Sequence, residues 1–191
     1  MSWRFVALNW LQTLIRRERT MPKIVVRGLS RAHAQGKLHL ENLCFPCALG
    51  RGGRRPKGGE GDGITPKGRW IFRKVFYRPD RVPRPQTGLP VLPLTPQMGW
   101  CDAPGDANYN RLVRLPYPAS HESLWRRDHL YDLLAVLGYN DQPRSHGRGS
   151  AIFLHLARDE YGPTEGCVAL SADHMRMLLK ALRPGQSLIV T

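Results

Sequence analysis

Residues 50–68, GRGGRRPKGGEGDGITPKG, carry eight glycines in nineteen positions. Each glycine inside a helix costs about 1 kcal/mol relative to alanine, so no regular element of any length survives that density. The chain is therefore divided here, with short elements on either side. Nineteen glycines and sixteen prolines in the whole sequence extend the same restriction. Long helices are disfavoured, and the expected fold class is mainly β, with short strands joined by turns. A chain of 191 residues supports one such core but not two comfortable ones.

Around the glycine stretch, Lys23–Arg27, Lys37–Leu40 and Leu43–Leu49 read as strands punctuated by Gly28, Gly36 and Gly50. Arg69–Arg78 alternates apolar or aromatic with basic residues, the pattern of a strand with one wet face. Residues 79–120 are rich in proline and turn formers and read as a long irregular region that lines or covers a site, with 98–102 and 108–110 as ordered islands. Residues 121–132 read as a short helix, and 133–140 and 150–156 as buried strands. Ser171 is placed to cap one helix over about 172–182, whose apolar positions share a face. Arg183-Pro184-Gly185 ends it, and 187–190 is a final strand.

The net charge of +14 is concentrated at the front, where residues 1–58 hold twelve basic side chains against two acidic ones. Such a segment attracts a polyanion (nucleic acid, anionic lipid or acidic wall polymer) or is simply a solvated surface. Residues 1–22 read as an N-terminal extension to a single domain, 23–191. The apolar run Phe5–Ile15 is too short to span a bilayer as a helix and is interrupted by Asn9 and Gln12. It is a weak signal, a membrane-surface segment over 1–20 with a basic tail, or an extension upstream of a start at Met21. Cys44-Phe-Pro-Cys47 has the spacing of a metal knuckle or redox pair, but no second half follows, so both are read as strand residues. The histidines show no zinc-enzyme spacing; no metal and no cofactor are expected.

The chemistry concentrates in SAIFLHLARDEYGPTEGCVAL, residues 150–170. His155 lies near the end of a strand and Cys167 follows a turn shortly before a helix. A helix N-terminus and a neighbouring imidazole both favour the reactive thiolate, and the Gly166 amide is available for an oxyanion hole. Spacing alone also admits an ordinary buried cysteine near a strand-end histidine.

The run His155 … Thr164-Glu165-Gly166-Cys167-Val168 resembles the signature of the L,D-transpeptidase (YkuD) catalytic domain family, as does Gly-Asp-Gly-x-Thr-Pro-x-Gly at 61–68 ahead of an aromatic strand. The resemblance covers residues 23–191 and implies a β-sandwich with a long irregular loop region and one helix after the Cys motif. It further implies that Cys167 attacks a peptidoglycan stem peptide, releases a terminal D-alanine and passes the thioester to an amine. His155 would be the base, the Leu156 carbonyl would orient its ring, and amides around Gly166 and Cys167 would hold the oxyanion. Thr164 and Glu165 would contact substrate, while Tyr139 and Asn140 either line the site or form a turn. The chain departs from the family pattern at Glu165 (often His), Ala169 (often Arg), Leu156 (usually Gly) and in a shorter spacer. A carboxylate at Glu165 would oppose thiolate formation unless it points to solvent. The family implies the periplasm or cell envelope and stem peptides as partners; a monomer is expected. Nucleic acid would explain the charge but nothing in 150–175, and is not expected. A hydrolase with the same acyl-enzyme, and a non-catalytic basic wall- or polyanion-binding module, are the alternatives.

Overall fold

The computed structural model describes residues 21–30 and 34–191; the extension over 1–20 and His33 lie outside the described residues. Three strands, β1 (Ile24–Gly28), β2 (Gln35–Leu40) and β3 (Leu43–Ala48), form an antiparallel meander. Pro46 is tolerated inside β3 because the next strand of the sheet meets β3 only at Ala48, leaving most of that edge unpaired. Two short strands, β4 (Arg54–Arg55) and β5 (Thr65–Pro66), pair in parallel across the glycine-rich stretch. Then come the ten-residue β6 (Gly68–Tyr77) and the short β7 (Val91–Pro93). A separate sheet consists of β8 (Met98–Cys101), β9 (Arg111–Arg114) and β10 (His121–Ser123). The chain finishes with β11 (Leu133–Leu137), β12 (Phe153–Leu156), β13 (Val168–Leu170), helix α1 (Ala172–Ala181) and β14 (Ser187–Val190).

The main sheet runs β11-β12-β13-β3-β2-β1-β14-β6-β7, and β6 also pairs with β11. That last pairing closes the sheet into a barrel-like ring with β7 hanging outside. The length of β6 makes this geometry: its first half pairs with β14 and its second half with β11, past a bulge between Ala135 and Leu137. Ile24, Val26, Leu38, Leu154, Val168 and Leu188 fill one apolar cluster, which Met175, Leu178 and Leu179 of α1 join. Ser171 accepts the His174 amide at 3.4 Å as the cap of α1. A second cluster, including Phe76, Trp100, Leu124, Leu134 and Phe153, lies on the other face of the sheet.

Two expectations need correction. Residues 121–132 are not helical: β10 pairs with β8, and the Leu124 amide bonds the Met98 carbonyl at 3.1 Å. Leu124, Leu130 and Tyr131 are buried there as individual plugs in the second cluster, not as one helical stripe. The region 79–120 is also more regular than expected: besides β8, which falls on the expected island at 98–102, it contributes β7 and β9.

Candidate active site

Alternation places core and chemistry on opposite faces of the same two strands. Leu154 and Leu156 of β12 point into the first cluster, while Phe153 and His155 face the other way. β13 runs parallel beside β12, with Leu154 opposite Val168 and His155 opposite Ala169. Cys167, one residue ahead of β13, therefore emerges on the His155 face. A cavity of about 440 Å³ opens there, walled by Cys167, His155, Thr164, Glu165, Tyr131 and Glu122 among others.

The turn before Cys167 is braced from two sides. Thr164 Oγ1 accepts the Gly166 amide at 3.2 Å and donates to the Cys167 carbonyl at 2.7 Å. Thr65, 102 positions away, donates to the same carbonyl at 3.3 Å and accepts the Gly50 amide at 2.7 Å. Asp62 organises this glycine-rich loop by accepting the Gly58, Gly59 and Ile64 amides and pairing with Lys57. Gly166 has φ +128°, and a Cβ there would sit 2.7 Å from the Ile64 carbonyl oxygen. Glycine is what lets the two loops touch.

The His155 ring holds a hydrogen bond between Nδ1 and the Leu156 carbonyl at 2.8 Å. A carbonyl only accepts, so Nδ1 carries the proton and Nε2 keeps its lone pair. The edge of Tyr131 packs against the ring at 5.3 Å between centroids. Among the described residues the Cys167 sulfur accepts the Phe153 amide at 3.3 Å and donates to the Ala151 carbonyl at 3.3 Å.

Burial pushes the Cys167 thiol up to about 12, reinforced by the charge of Glu122 and opposed by the Phe153 amide and Lys57. Burial pulls His155 down to about 4, against the Leu156 hydrogen bond. The resting pair is a neutral thiol and a neutral imidazole, where the sequence suggested a favoured thiolate. The reason is partly geometric. Cys167 leads into β13, and α1 begins only at Ala172, five residues further on, while a helix end acts mainly within its first turn.

A family model, the L,D-transpeptidase catalytic domain (YkuD), matches residues 33–190. The chain belongs to this family. No curated protein matches it. Among solved structures it is similar to Bd1075 of Bdellovibrio bacteriovorus, at 14% identity and a TM-score of 0.45, covering 90% of this chain and 48% of that one. It is also similar to L,D-transpeptidase 1 of Mycobacterium tuberculosis, at 11% identity and a TM-score of 0.37, covering 88% of this chain and 62% of that one. The chain thus spans about half the length of the first and less than two thirds of the second.

In this YkuD domain the residues singled out from sequence divide into two groups. Cys167, His155, Thr164 and Glu165 share one cavity wall. The Gly166 amide, expected to face an oxyanion, is bonded to Thr164 at rest. Glu165 is 65% exposed and pairs with Arg51, so its carboxylate turns to solvent. Tyr139 and Asn140 do not join the cavity. Tyr139 packs on Trp70 and donates to the Arg148 carbonyl, while Asn140 bonds the Ser145 and Gly149 carbonyls and so closes the 140–149 turn. Cys44 is exposed and Cys47 buried, on opposite sides of β3.

Glu122, Tyr131 and Arg126 are cavity residues that the sequence did not reveal. Tyr131 donates to Glu122 Oε1 at 2.5 Å, and Arg126 lies 5.1 Å over the Tyr131 ring. All three fall in the segment read as a helix. Acidic and aromatic residues beside an apolar strand were the one available signal.

Proposed function

We propose that this domain is a cysteine-dependent peptidoglycan L,D-transpeptidase. Cys167 attacks the carbonyl between the third and fourth residues of a stem peptide, the C–S bond forms, and the C–N bond to D-alanine breaks. The supporting observation is the hydrogen bond from His155 Nδ1 to the Leu156 carbonyl, in a cavity shared with Cys167. It leaves Nε2 as the only ring nitrogen able to take the thiol proton. Because burial keeps both groups neutral, proton transfer accompanies attack and does not precede it. His155 then returns the proton to the departing amine. As the carbonyl oxygen becomes negative, the Gly166 amide exchanges Thr164 for the oxyanion, joined by the amide of Cys167. Thr164 and Glu165 at the rim contact the stem peptide. An amine on a second stem resolves the thioester, and the reaction belongs in the cell envelope.

Among the described residues no helix is long and apolar enough to cross a membrane. The test is a tetrapeptide stem or a carbapenem, followed by intact-mass and peptide mapping. The expected adduct is on Cys167, with loss of D-alanine from the stem and none in Cys167→Ala. An unlabelled Cys167 in folded protein overturns the reading. Free-acid product even with excess amine would assign the hydrolase in its place.

A further inference from the structure

Glu122 poses a problem that the first half-reaction does not solve. Of the charges around Cys167, its carboxylate acts most strongly on the sulfur, and it acts against thiolate formation. A domain that only acylated Cys167 would be better served by an apolar residue in that wall. The side chain is nevertheless held with care. Tyr131 donates to Oε1 at 2.5 Å, and the same Tyr131 ring packs edge-on against His155 at 5.3 Å, so one side chain orients both groups. Arg126 reaches Oε1 at only 3.7 Å, because Asp128 takes its guanidinium in a two-point contact at 2.8 and 2.7 Å. Among the described residues these contacts fall on Oε1, which leaves Oε2 for a ligand.

We infer that Glu122 is the acceptor station of the cavity: it binds the primary ammonium of the incoming peptide and takes its proton before attack on the Cys167 thioester. This rests on the transpeptidase reading above. A primary amine is an ammonium at neutral pH, with an ordinary pKa of about 10.4, and an ammonium has no lone pair to attack with. A half-buried carboxylate beside the thioester both attracts that cation and accepts its proton. Burial raises the Glu122 carboxyl, against the Tyr131 hydrogen bond and the Arg126 charge, while Asp102 and Asp128 push the same way as burial.

The step balances as follows. The ammonium gives one proton to Glu122, and the free amine attacks the thioester carbon. The C–N bond forms and the C–S bond breaks. The second nitrogen proton passes through His155 Nε2 to the departing sulfur, restoring the thiol and the neutral imidazole. Glu122 then releases its proton to solvent.

The test compares wild type, Glu122→Gln and Tyr131→Phe after loading Cys167 with a tetrapeptide stem. Each acyl-enzyme is chased with a lysine-containing peptide amine or with buffer alone, and the amide and free-acid products are counted by mass spectrometry. In Glu122→Gln the acyl-enzyme still forms, while aminolysis at pH 7 falls about 10-fold or more and hydrolysis does not fall with it. Raising the pH toward the amine pKa restores aminolysis, since the free amine needs no acceptor for its proton. Tyr131→Phe keeps the ring against His155 and shows a smaller loss in the same branch, which also serves if Glu122→Gln does not fold. An unchanged amide-to-acid ratio, or equal slowing of acylation and both branches, overturns the inference. Absence of acyl-enzyme in wild type overturns instead the transpeptidase reading beneath it.

Discussion

Cys47 and Cys167 are both buried, and burial pushes both thiols up to about 12. Yet their surroundings differ. Cys47 lies in the barrel-interior cluster with Leu38, Leu49 and Ile152, where the Arg54 charge and the Gly36 backbone only partly offset burial. Cys167 sits on the outer face of the same sheet, in a cavity with His155, Tyr131 and Glu122. Burial and acidity thus do not separate a packing thiol from the proposed nucleophile. What separates them is a neighbouring imidazole with a free Nε2 lone pair and an open cavity, the surroundings the proposed reaction needs.

The sharpest way to break this comparison is to remove each sulfur in turn. Cys167→Ser is expected to lower acyl-enzyme formation by about 10³-fold or more, read by intact mass, while Cys47→Ala leaves acylation intact. Comparable loss from both variants would show that Cys167 is no more than a second packing cysteine. His155→Gln should keep the fold and lower acylation by about 10²- to 10⁴-fold in single-turnover assays.

The neutral state of His155 also has a stability signature. In the unfolded chain the imidazole takes a proton below its ordinary 6.5, whereas the folded state refuses it until about 4. Between those values the unfolded state binds more protons, so stability falls as pH drops and the loss levels off below 4. The contribution is about 3 kcal/mol, and denaturant titrations at pH 7 and 4.5 should show much of it in wild type and little in His155→Gln. Equal pH dependence in both proteins would count against a buried neutral ring.

Gly166→Ala tests the brace behind Cys167. Its positive φ and the nearby Ile64 carbonyl predict a loss of about 2 kcal/mol by chemical denaturation, with slower acylation. Gly105→Ala, with nothing within 4 Å of the added carbon, is the neutral control. The smallest effect belongs to Cys47→Ala, about 1 kcal/mol of lost packing in the interior cluster.

Much of the fold was legible because its signals are local. Alternation in Arg69–Arg78 marked β6, the Ser171 cap marked α1, and the apolar run at 187–190 marked β14. Within 121–132 the apolar residues 124 and 131, seven apart, are compatible with one face of a helix, which is how the segment reads by itself. The edge of β8 instead claims the backbone of 121–123, a pairing between segments that no local pattern reports. Glu122 and Tyr131 were missed together for that reason. Tyr139 and Asn140 follow β11 in a turn that their side chains close away from the cavity.

The sequence by itself determined that His155 lies opposite in facing to Leu154 and Leu156, because successive strand side chains point to opposite faces. It also determined the glycine at 166, where a side chain would strike the neighbouring loop. The tertiary structure decided the state of the thiol and the identity of the carboxylate beside it. Glu165 stands two residues from Cys167 in the chain but turns out to Arg51, while Glu122 arrives through the pairing of β10 with β8. Burial and through-space charge depend on which segments meet, and chain order does not contain that distance.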